Sequence, residues 1–290
     1  MGDSIDPAVG ESPFFLIFTD LDGTLLDHET YEWKEALPAL HRCKESHIPV
    51  ILVSSKTRAE MDLLRRKLSL SAPFVSENGG GIFFPGKTFK EPLEGASFHK
   101  GLWTWSLGLP YGRLVEGMRE IREELGWDIR GFSDMNTEEI SRLTGLDAEA
   151  SKLAAQREYD EPFIIGEDQS WDKDALFKAA AKRGLSVSMG GRFYHLHGSN
   201  DKGRSMAKIL SWYKRFHEKV MTIALGDSPI DVPMLKLADY PVLVRGKHDF
   251  SKLKKGIPRL SLTRKIGPKG WNAAVLEILA RGDIGNARKV

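Results

Sequence analysis

The chain has 290 residues, of which 41% are apolar and 28% are charged, and this ordinary globular composition allows one large or two medium domains. The formal net charge of +2 is close to neutral, so no strong attraction to nucleic acid or to a membrane surface is expected. No apolar run approaches the roughly 20 residues that a membrane-spanning helix needs.

Cysteine content and the first residues bear on the compartment. The single cysteine, Cys43, cannot form an internal disulfide, which fits a reducing cytoplasm. Residues 1–13 are polar and acidic and lack the pattern of a signal peptide. We therefore expect a cytoplasmic protein, a monomer or a homodimer, without nucleic-acid or membrane partners.

The stretch FFLIFTDLDGTLL, residues 14–26, predicts a strand and then a turn that carries two carboxylates. The opening apolar run is typical of a parallel strand that is buried on both faces. Asp20 and Asp22 follow at its carboxyl end, where open α/β sheets bind ligands, and Gly23 permits a turn that lets both face one site. One carboxylate can attack phosphorus, while a second can protonate the leaving oxygen and then activate water.

These residues resemble the first motif of the haloacid dehalogenase (HAD) superfamily of phosphohydrolases. The resemblance implies an α/β fold, with a Rossmann-like core built on a parallel sheet and an inserted α/β cap domain. It also implies that Asp20 is the catalytic nucleophile and that Asp22 is the general acid/base.

A second buried strand is predicted at residues 50–53, after a helix at residues 33–46. Ser54 stands at the carboxyl end of this strand and resembles the second HAD motif, whose hydroxyl donates a hydrogen bond to the transferring phosphoryl group. The alternative interpretation is that Ser54 merely terminates the strand. Thr57 and Glu60 have capping-box spacing and predict the start of the next helix.

The run SSKTRAEM at residues 54–61 narrows the resemblance to mannosyl-3-phosphoglycerate phosphatases, which implies that Ser55 and Lys56 bind substrate. Residues 74–76 and 82–84 then predict a hairpin around a glycine-rich turn. In that turn, Glu77, Asn78 and Gly79 resemble the E-N-G segment of subclass IIB HAD phosphatases. Asn78 is therefore predicted to bind substrate, although turn geometry alone also accounts for the glycines.

From about residue 87 to residue 197 the catalytic motifs stop, and they resume afterwards, as an inserted domain would require. We predict a core domain at residues 1–86 and 198–290, and a cap domain at residues 87–197. Trp103 and Trp105 are assigned to the core of the cap. In subclass IIB relatives the cap closes over the site and supplies specificity, and such closure excludes water.

Two stretches of the predicted cap also resemble mannosyl-3-phosphoglycerate phosphatases. The first is REYDEPF at residues 157–163, and the second is GGRFYHLH at residues 190–197. Arginine side chains suit a carboxylate or a phosphate, and glutamates can accept hydrogen bonds from sugar hydroxyls. The predicted substrate-binding residues of the cap are Arg157, Glu161, Gly191, Arg192 and His195. Surface ion pairs are the alternative interpretation of the first stretch.

The core motifs return with GSNDKGRSM, in which Lys202 resembles the lysine of the third HAD motif. A cation at the start of a helix is disfavoured, so an anionic partner is expected to hold it. After a buried strand at residues 221–225, the run GDSPIDVPML supplies Asp227 and Asp231 and resembles the fourth motif. Many relatives have asparagine where this chain has Ile230, which removes a hydrogen bond near the site.

The carboxylates Asp20, Asp22, Asp227 and Asp231 are thus expected at one edge of the sheet, where they repel each other unless a cation or protons intervene. Oxygen ligands and a phosphate substrate favour Mg²⁺. The resemblance implies that Asp20 and Asp227 bind the metal through their side chains and Asp22 through its backbone carbonyl. Asp231 is implied to act through water.

The resemblance implies an Mg²⁺-dependent phosphatase that converts mannosyl-3-phosphoglycerate to mannosylglycerate, a compatible solute, through an aspartyl-phosphate. Glucosyl-3-phosphoglycerate and sucrose phosphate are alternative substrates, since one hydroxyl's orientation distinguishes such sugars. A sugar phosphomutase and a non-catalytic sugar-phosphate sensor are further alternatives, and the presence of all the catalytic residues disfavours the sensor.

Overall fold

The computed structural model describes residues 13–89, 93–167, 169–190, 193–246, 253 and 256–287. In chain order the strands are β1 (Phe14–Thr19), β2 (Val50–Val53), β3 (Phe74–Ser76), β4 (Gly81–Pro85), β5 (Ser97–His99), β6 (Leu102–Ser106), β7 (Ile129–Gly131), β8 (Asp160–Ile165), β9 (Ser186–Gly190), β10 (Phe193–His197), β11 (Val220–Gly226), β12 (Tyr240–Arg245) and β13 (Ser261–Ile266). The helices are α1 (Leu37–Glu45), α2 (Arg58–Lys67), α3 (Tyr111–Leu125), α4 (Thr137–Thr144), α5 (Ala148–Ala154), α6 (Lys173–Ala181), α7 (Lys202–Tyr213), α8 (Val232–Leu237) and α9 (Gly267–Ala287).

The larger sheet has the strand order β13-β12-β11-β1-β2-β3-β4-β6-β5. Strand β1 lies in its middle and pairs in parallel with β11 on one side and with β2 on the other. The chain therefore crosses in opposite directions on the two sides of β1, which creates a crevice at its carboxyl end. The apolar runs predicted at residues 14–18, 50–53 and 221–225 are confirmed as buried strands.

Two apolar layers cover this sheet, because alternate residues of β1 point to opposite faces. Ile17 belongs to a cluster that includes residues of α1 and α9, among them Trp271. Phe18 belongs to a second cluster with residues of α7 and α8, among them Met206. The result is the helix-sheet-helix arrangement expected of a Rossmann-like core.

A second sheet of four antiparallel strands, in the order β7-β8-β10-β9, lies in the segment between the core motifs. Residues of β8 and β10, including Phe163, pack with residues of α3 and α6, including Met118 and Leu176. This smaller α/β unit has its own apolar core, as the predicted cap requires.

The predicted boundary at residue 86 needs correction. Strand β6 pairs antiparallel with β4, and β5 pairs with β6, so residues 97–106 extend the larger sheet. Trp105 packs edge-on against Phe84 with ring centroids 4.8 Å apart, and Trp103 lies beside it, so both belong to the core domain rather than to the cap. We propose that the inserted unit begins near residue 107 instead.

Within the described ranges, no helix combines the length and apolar content needed to span a bilayer.

Candidate active site

The predicted catalytic residues meet at the carboxyl edge of the larger sheet. Asp20 directly follows β1, Ser54 follows β2, and Asp227 follows β11. Lys202 is the first residue of α7, and its side chain is 1% exposed. Its ammonium donates to Asp20 Oδ1 and to Asp231 Oδ1, each at 2.6 Å. These two carboxylates are the anionic partners that a buried lysine at a helix start needs.

Asp231 is the carboxylate that organises the fourth-motif loop. Its Oδ2 accepts hydrogen bonds from the backbone N–H groups of Asp227 and Ser228 and from the Ser228 hydroxyl, at 3.0 to 3.1 Å. Both of its oxygens therefore have donors within the protein. This environment makes Asp231 a residue that orients the loop and Lys202.

Asp20, Asp227 and Asp231 form a group that can hold a metal ion, since one carboxylate oxygen of each lies within 4.8 Å of the others. Burial, partly offset by Lys202 and reinforced by Asp231, raises the pKa of the Asp20 carboxyl. Burial and the charge of Asp20 likewise raise the pKa of Asp227. A bound cation would favour the ionised carboxylates and so oppose these raised pKa values. Carboxylate oxygens are suitable ligands for a hard cation. The turn after β1 packs closely against Asp227, because a Cβ on Gly23 would lie 2.4 Å from Asp227 Oδ2.

Asp22 and Lys56 form an ion pair at the outer side of this cluster. The Lys56 ammonium lies 2.9 Å from Asp22 Oδ2 and 5.1 Å from the centre of the Tyr31 ring. Burial opposes the charged lysine, but the nearby carboxylates of Asp22 and Glu60 outweigh it and raise the pKa of Lys56. Lys56, which the sequence assigns to substrate binding, thus lies beside the predicted general acid/base.

The second-motif loop is joined to the E-N-G turn by backbone hydrogen bonds. Asn78 N–H donates to the Ser54 carbonyl at 2.9 Å, and Glu77 N–H donates to the Lys56 carbonyl at 3.0 Å. The Ser54 hydroxyl accepts from the Lys56 N–H at 3.3 Å. The predicted capping box at Thr57 and Glu60 is confirmed at the start of α2.

Asn78 combines an unfavourable backbone with an unused side chain. It has φ 53° and ψ 35°, in the left-handed region that favours glycine. Its side chain is buried, and neither Oδ1 nor Nδ2 has a hydrogen-bond partner among the described residues. A strained backbone and an unpaired buried polar group are typical of functional sites, where a ligand can bind the polar group. This environment supports the predicted role of Asn78 in substrate binding.

Asn78→Gly should therefore make the protein more stable and less active. Glycine accepts the backbone conformation and removes the unpaired amide, so we expect a gain of about 1–2 kcal/mol in the free energy of unfolding. If the amide binds substrate, kcat/KM should fall about tenfold. Thermal unfolding and steady-state kinetics measure the two effects.

The matched control is Ser69→Gly, since Ser69 also has a positive φ, 55°, but lies exposed after α2. That control should gain stability without losing activity. An Asn78→Gly protein that is less stable, or that keeps full activity, would show that the amide serves the fold instead.

The cap residues differ in what they offer to a substrate. The sequence predicts that Arg157 binds an anionic substrate, but its guanidinium donates to Asp160 Oδ2 at 2.6 Å and to the Ser55 carbonyl at 3.1 Å. Its side chain is 4% exposed and also lies 3.7 Å from Glu77 Oε2. The buried carboxylates of Asp160 and Glu77 need a nearby cation, and Arg157 supplies it. In this structure Arg157 therefore joins the cap to the core and is not open to a ligand.

Glu161 also binds groups of the protein itself. Its carboxylate accepts hydrogen bonds from the backbone N–H and the hydroxyl of Ser133 and from the Tyr111 hydroxyl. Burial raises the pKa of Glu161 against these hydrogen bonds. His195 is buried on β10 and contacts Asp160 through Nδ1. Ser55 is partly exposed and uses its carbonyl to hold Arg157. Gly191 and Arg192 lie outside the described residues.

Sequence reasoning missed two residues of this region, Glu77 and Asp160, each of which is fully buried. Glu77 accepts from the backbone N–H groups of Glu158 and Tyr159, at 3.0 and 2.7 Å from Oε2. Burial raises the pKa of Glu77 to about 7, although Arg157 lies nearby. Both acids stand inside segments that carry the family resemblance, but no local pattern distinguishes a buried acid from a solvated one.

Comparisons with known proteins show what the chain as a whole is similar to. The model of the haloacid dehalogenase-like hydrolase family matches residues 17–103. The chain is 40% identical to a glucosyl-3-phosphoglycerate/mannosyl-3-phosphoglycerate phosphatase of Methanococcoides burtonii, over 92% of this chain and 98% of that protein. It is 34% identical to a mannosyl-3-phosphoglycerate phosphatase of Pyrococcus furiosus, over 79% of this chain and 90% of that protein.

Among solved structures, a HAD subclass IIB sugar phosphatase superposes with a TM-score of 0.60 at 15% identity, covering 92% of this chain and 98% of that one. At this identity the likeness shows the fold alone. The sequence relatives carry the family assignment, since they align over most of both chains. The chain therefore belongs to the mannosyl-3-phosphoglycerate phosphatase family, whose members are phosphoric monoester hydrolases of the haloacid dehalogenase-like type.

Proposed function

We propose that this protein is an Mg²⁺-dependent phosphatase that hydrolyses mannosyl-3-phosphoglycerate, and also glucosyl-3-phosphoglycerate, through an aspartyl-phosphate at Asp20. The observation that carries the proposal is the buried Lys202 ammonium, which bridges Asp20 and Asp231 beside Asp227. This arrangement supplies a nucleophile, a fixed cation and a carboxylate metal site within one crevice.

The side chains of Asp20 and Asp227 would hold the metal ion, together with the backbone carbonyl of Asp22. Asp231 would orient the loop that carries Asp227, since its Oδ2 accepts hydrogen bonds from that loop. When bound, Mg²⁺ supplies positive charge to the carboxylates and to the phosphate oxygens.

The protein's own residues would carry the reaction in two steps. In the first, a carboxylate oxygen of Asp20 bonds to phosphorus while the bond between phosphorus and the ester oxygen breaks, and Asp22 gives that oxygen a proton. Lys202 and the Ser54 hydroxyl donate hydrogen bonds to the equatorial oxygens. In the second, Asp22 takes a proton from water, whose oxygen attacks phosphorus and releases phosphate and free Asp20.

The sugar preference rests on the relatives. The proteins that are 40% and 39% identical are named for both the glucosyl and the mannosyl substrate, whereas the proteins that are 34% and 33% identical are named for the mannosyl substrate. We therefore propose that both glycosides are accepted.

Phosphate release from a panel of substrates, with Mg²⁺ or with a chelator, tests the proposal. The panel contains mannosyl- and glucosyl-3-phosphoglycerate, sucrose phosphate and simple hexose phosphates. We expect Mg²⁺-dependent release from the two phosphoglycerates, with kcat/KM at least about tenfold above that of the other compounds. Equal activity across the panel would contradict the substrate assignment. A rearranged sugar phosphate without free phosphate would indicate a mutase.

A further inference from the structure

A continuous set of buried polar contacts runs from the E-N-G turn of the core to β10 of the cap. Glu77 lies beside Arg157, Arg157 donates to Asp160, and His195 Nδ1 lies 2.7 Å from the same Asp160 oxygen, Oδ2. Glu77 and Asp160 are fully buried, and the exposed fraction of His195 is 6%. Four ionisable groups in this setting are costly to keep unless their geometry serves the fold or the site.

Asp160 determines which imidazole nitrogen of His195 carries the proton. An ionised carboxylate only accepts hydrogen bonds, so the nitrogen that faces it must be the N–H donor. Burial raises the pKa of Asp160, but the charge of Arg157 and the hydrogen bond from His195 oppose burial, and the pKa of Asp160 lies below its ordinary value. In the neutral ring the proton then lies on Nδ1, and Nε2 keeps a lone pair.

Nε2 lies on the side of the cap that meets the fourth-motif loop. A Cβ built on Gly190 would stand 3.4 Å from His195 Nε2 and 3.7 Å from Cδ1 of Ile230, the residue before Asp231. The contact to Asp160 uses Nδ1, so Nε2 is the ring nitrogen on the side of Gly190 and Ile230.

We infer that Asp160 is a positioning residue, which holds the proton of His195 on Nδ1 and so directs the Nε2 lone pair at a hydroxyl group of the substrate's sugar. This inference rests on the proposed function, because it takes the ligand to be a glycosyl-3-phosphoglycerate. In such a molecule the phosphate and the carboxylate only accept hydrogen bonds. The hydroxyl groups are its donors, so a neutral imidazole that offers a lone pair selects them.

Two histidine variants separate this role from a structural one. His195→Asn keeps an N–H donor near the position of Nδ1 but removes Nε2, so the contact to Asp160 is retained while the sugar contact is lost. We expect its KM for mannosyl-3-phosphoglycerate to rise about tenfold, whereas its thermal stability stays close to that of wild type because the contact to Asp160 is kept. His195→Gln removes the contact to Asp160 and should affect both KM and thermal stability.

Nitrogen-15 NMR of the histidine side chains reads the proton position directly in the wild-type protein, with His195→Gln used to assign the signal. We expect a neutral His195 protonated on Nδ1, and a larger Nε2-protonated fraction in Asp160→Asn. A wild-type ring that is protonated on Nε2, or a His195→Asn enzyme with wild-type KM, would overturn the inference. If wild type turns over neither glycosyl substrate, the proposed function fails instead, and the NMR result still upholds or overturns the proton placement.

Discussion

Asp20→Asn is expected to lower phosphate release at least about 10³-fold, because the amide cannot form the phosphorylated intermediate and the remaining residues act only as a unit with the nucleophile. The variant should nevertheless fold. Lys202 keeps its contact to Asp231, so no buried charge is left without a partner. Steady-state phosphate release and thermal unfolding in a chelator measure the two properties.

The stability of this variant follows from the raised pKa of Asp20. The folded state binds the proton more tightly than the unfolded state, so metal-free wild type loses stability as the pH rises above the ordinary aspartate value of about 4. Asparagine has no such titration, and the variant should be at least as stable as wild type at neutral pH. Asp62→Asn, on α2 and outside the carboxylate group, is the control that should keep full activity. Substantial turnover by Asp20→Asn would remove the nucleophile assignment.

Lys202→Met should damage both activity and stability. Methionine has a similar length, but it leaves Asp20 and Asp231 buried without their cation. Loss of one partner from a buried ion pair costs about 3–5 kcal/mol, and loss of a donor to the transferring phosphoryl group costs about 10²–10³-fold in kcat. Chemical denaturation in a chelator and the phosphate-release assay provide the measurements.

Lys208→Met is the matched control for this substitution, since Lys208 is exposed on the same helix, with its ammonium 4.9 Å from the centre of the Trp105 ring. We expect the control to stay within about 1 kcal/mol of wild type, the size of an exposed cation–π contact. If Lys202→Met were as stable as Lys208→Met, the ammonium of Lys202 would not be needed to stabilise the buried carboxylates of Asp20 and Asp231. Added Mg²⁺ should recover part of the lost stability, because it neutralises the same carboxylates.

Much of the core was predictable, because strands buried on both faces leave continuous apolar runs and active-site carboxylates follow them directly. Residues 14–19 and 220–226 are such strands, and the next residue after each is an aspartate, Asp20 or Asp227. The edge of the sheet was not predictable in this way. Strand β5 has no buried residue and exposes Phe98, so the pattern of a buried strand is missing and the domain boundary was placed too early.

Local signals could have found more of the cap than was predicted. Asn136 and Glu139 form a capping box at the start of α4, the same signal that correctly placed α2. The role of Arg157 was beyond such reasoning. Its partner Glu77 is 80 residues away in the chain, and only the folded structure shows that the guanidinium is occupied by protein carboxylates.

Detection of the phosphorylated intermediate tests the central claim most directly. Wild-type enzyme would be mixed with mannosyl-3-phosphoglycerate radiolabelled in its phosphate, quenched in acid within the first turnover, and mapped by peptide analysis. The account predicts acid-stable label on the peptide that contains Asp20, and none in Asp20→Asn. Release of phosphate in the first turnover without any labelled protein, or label on another residue, would contradict it.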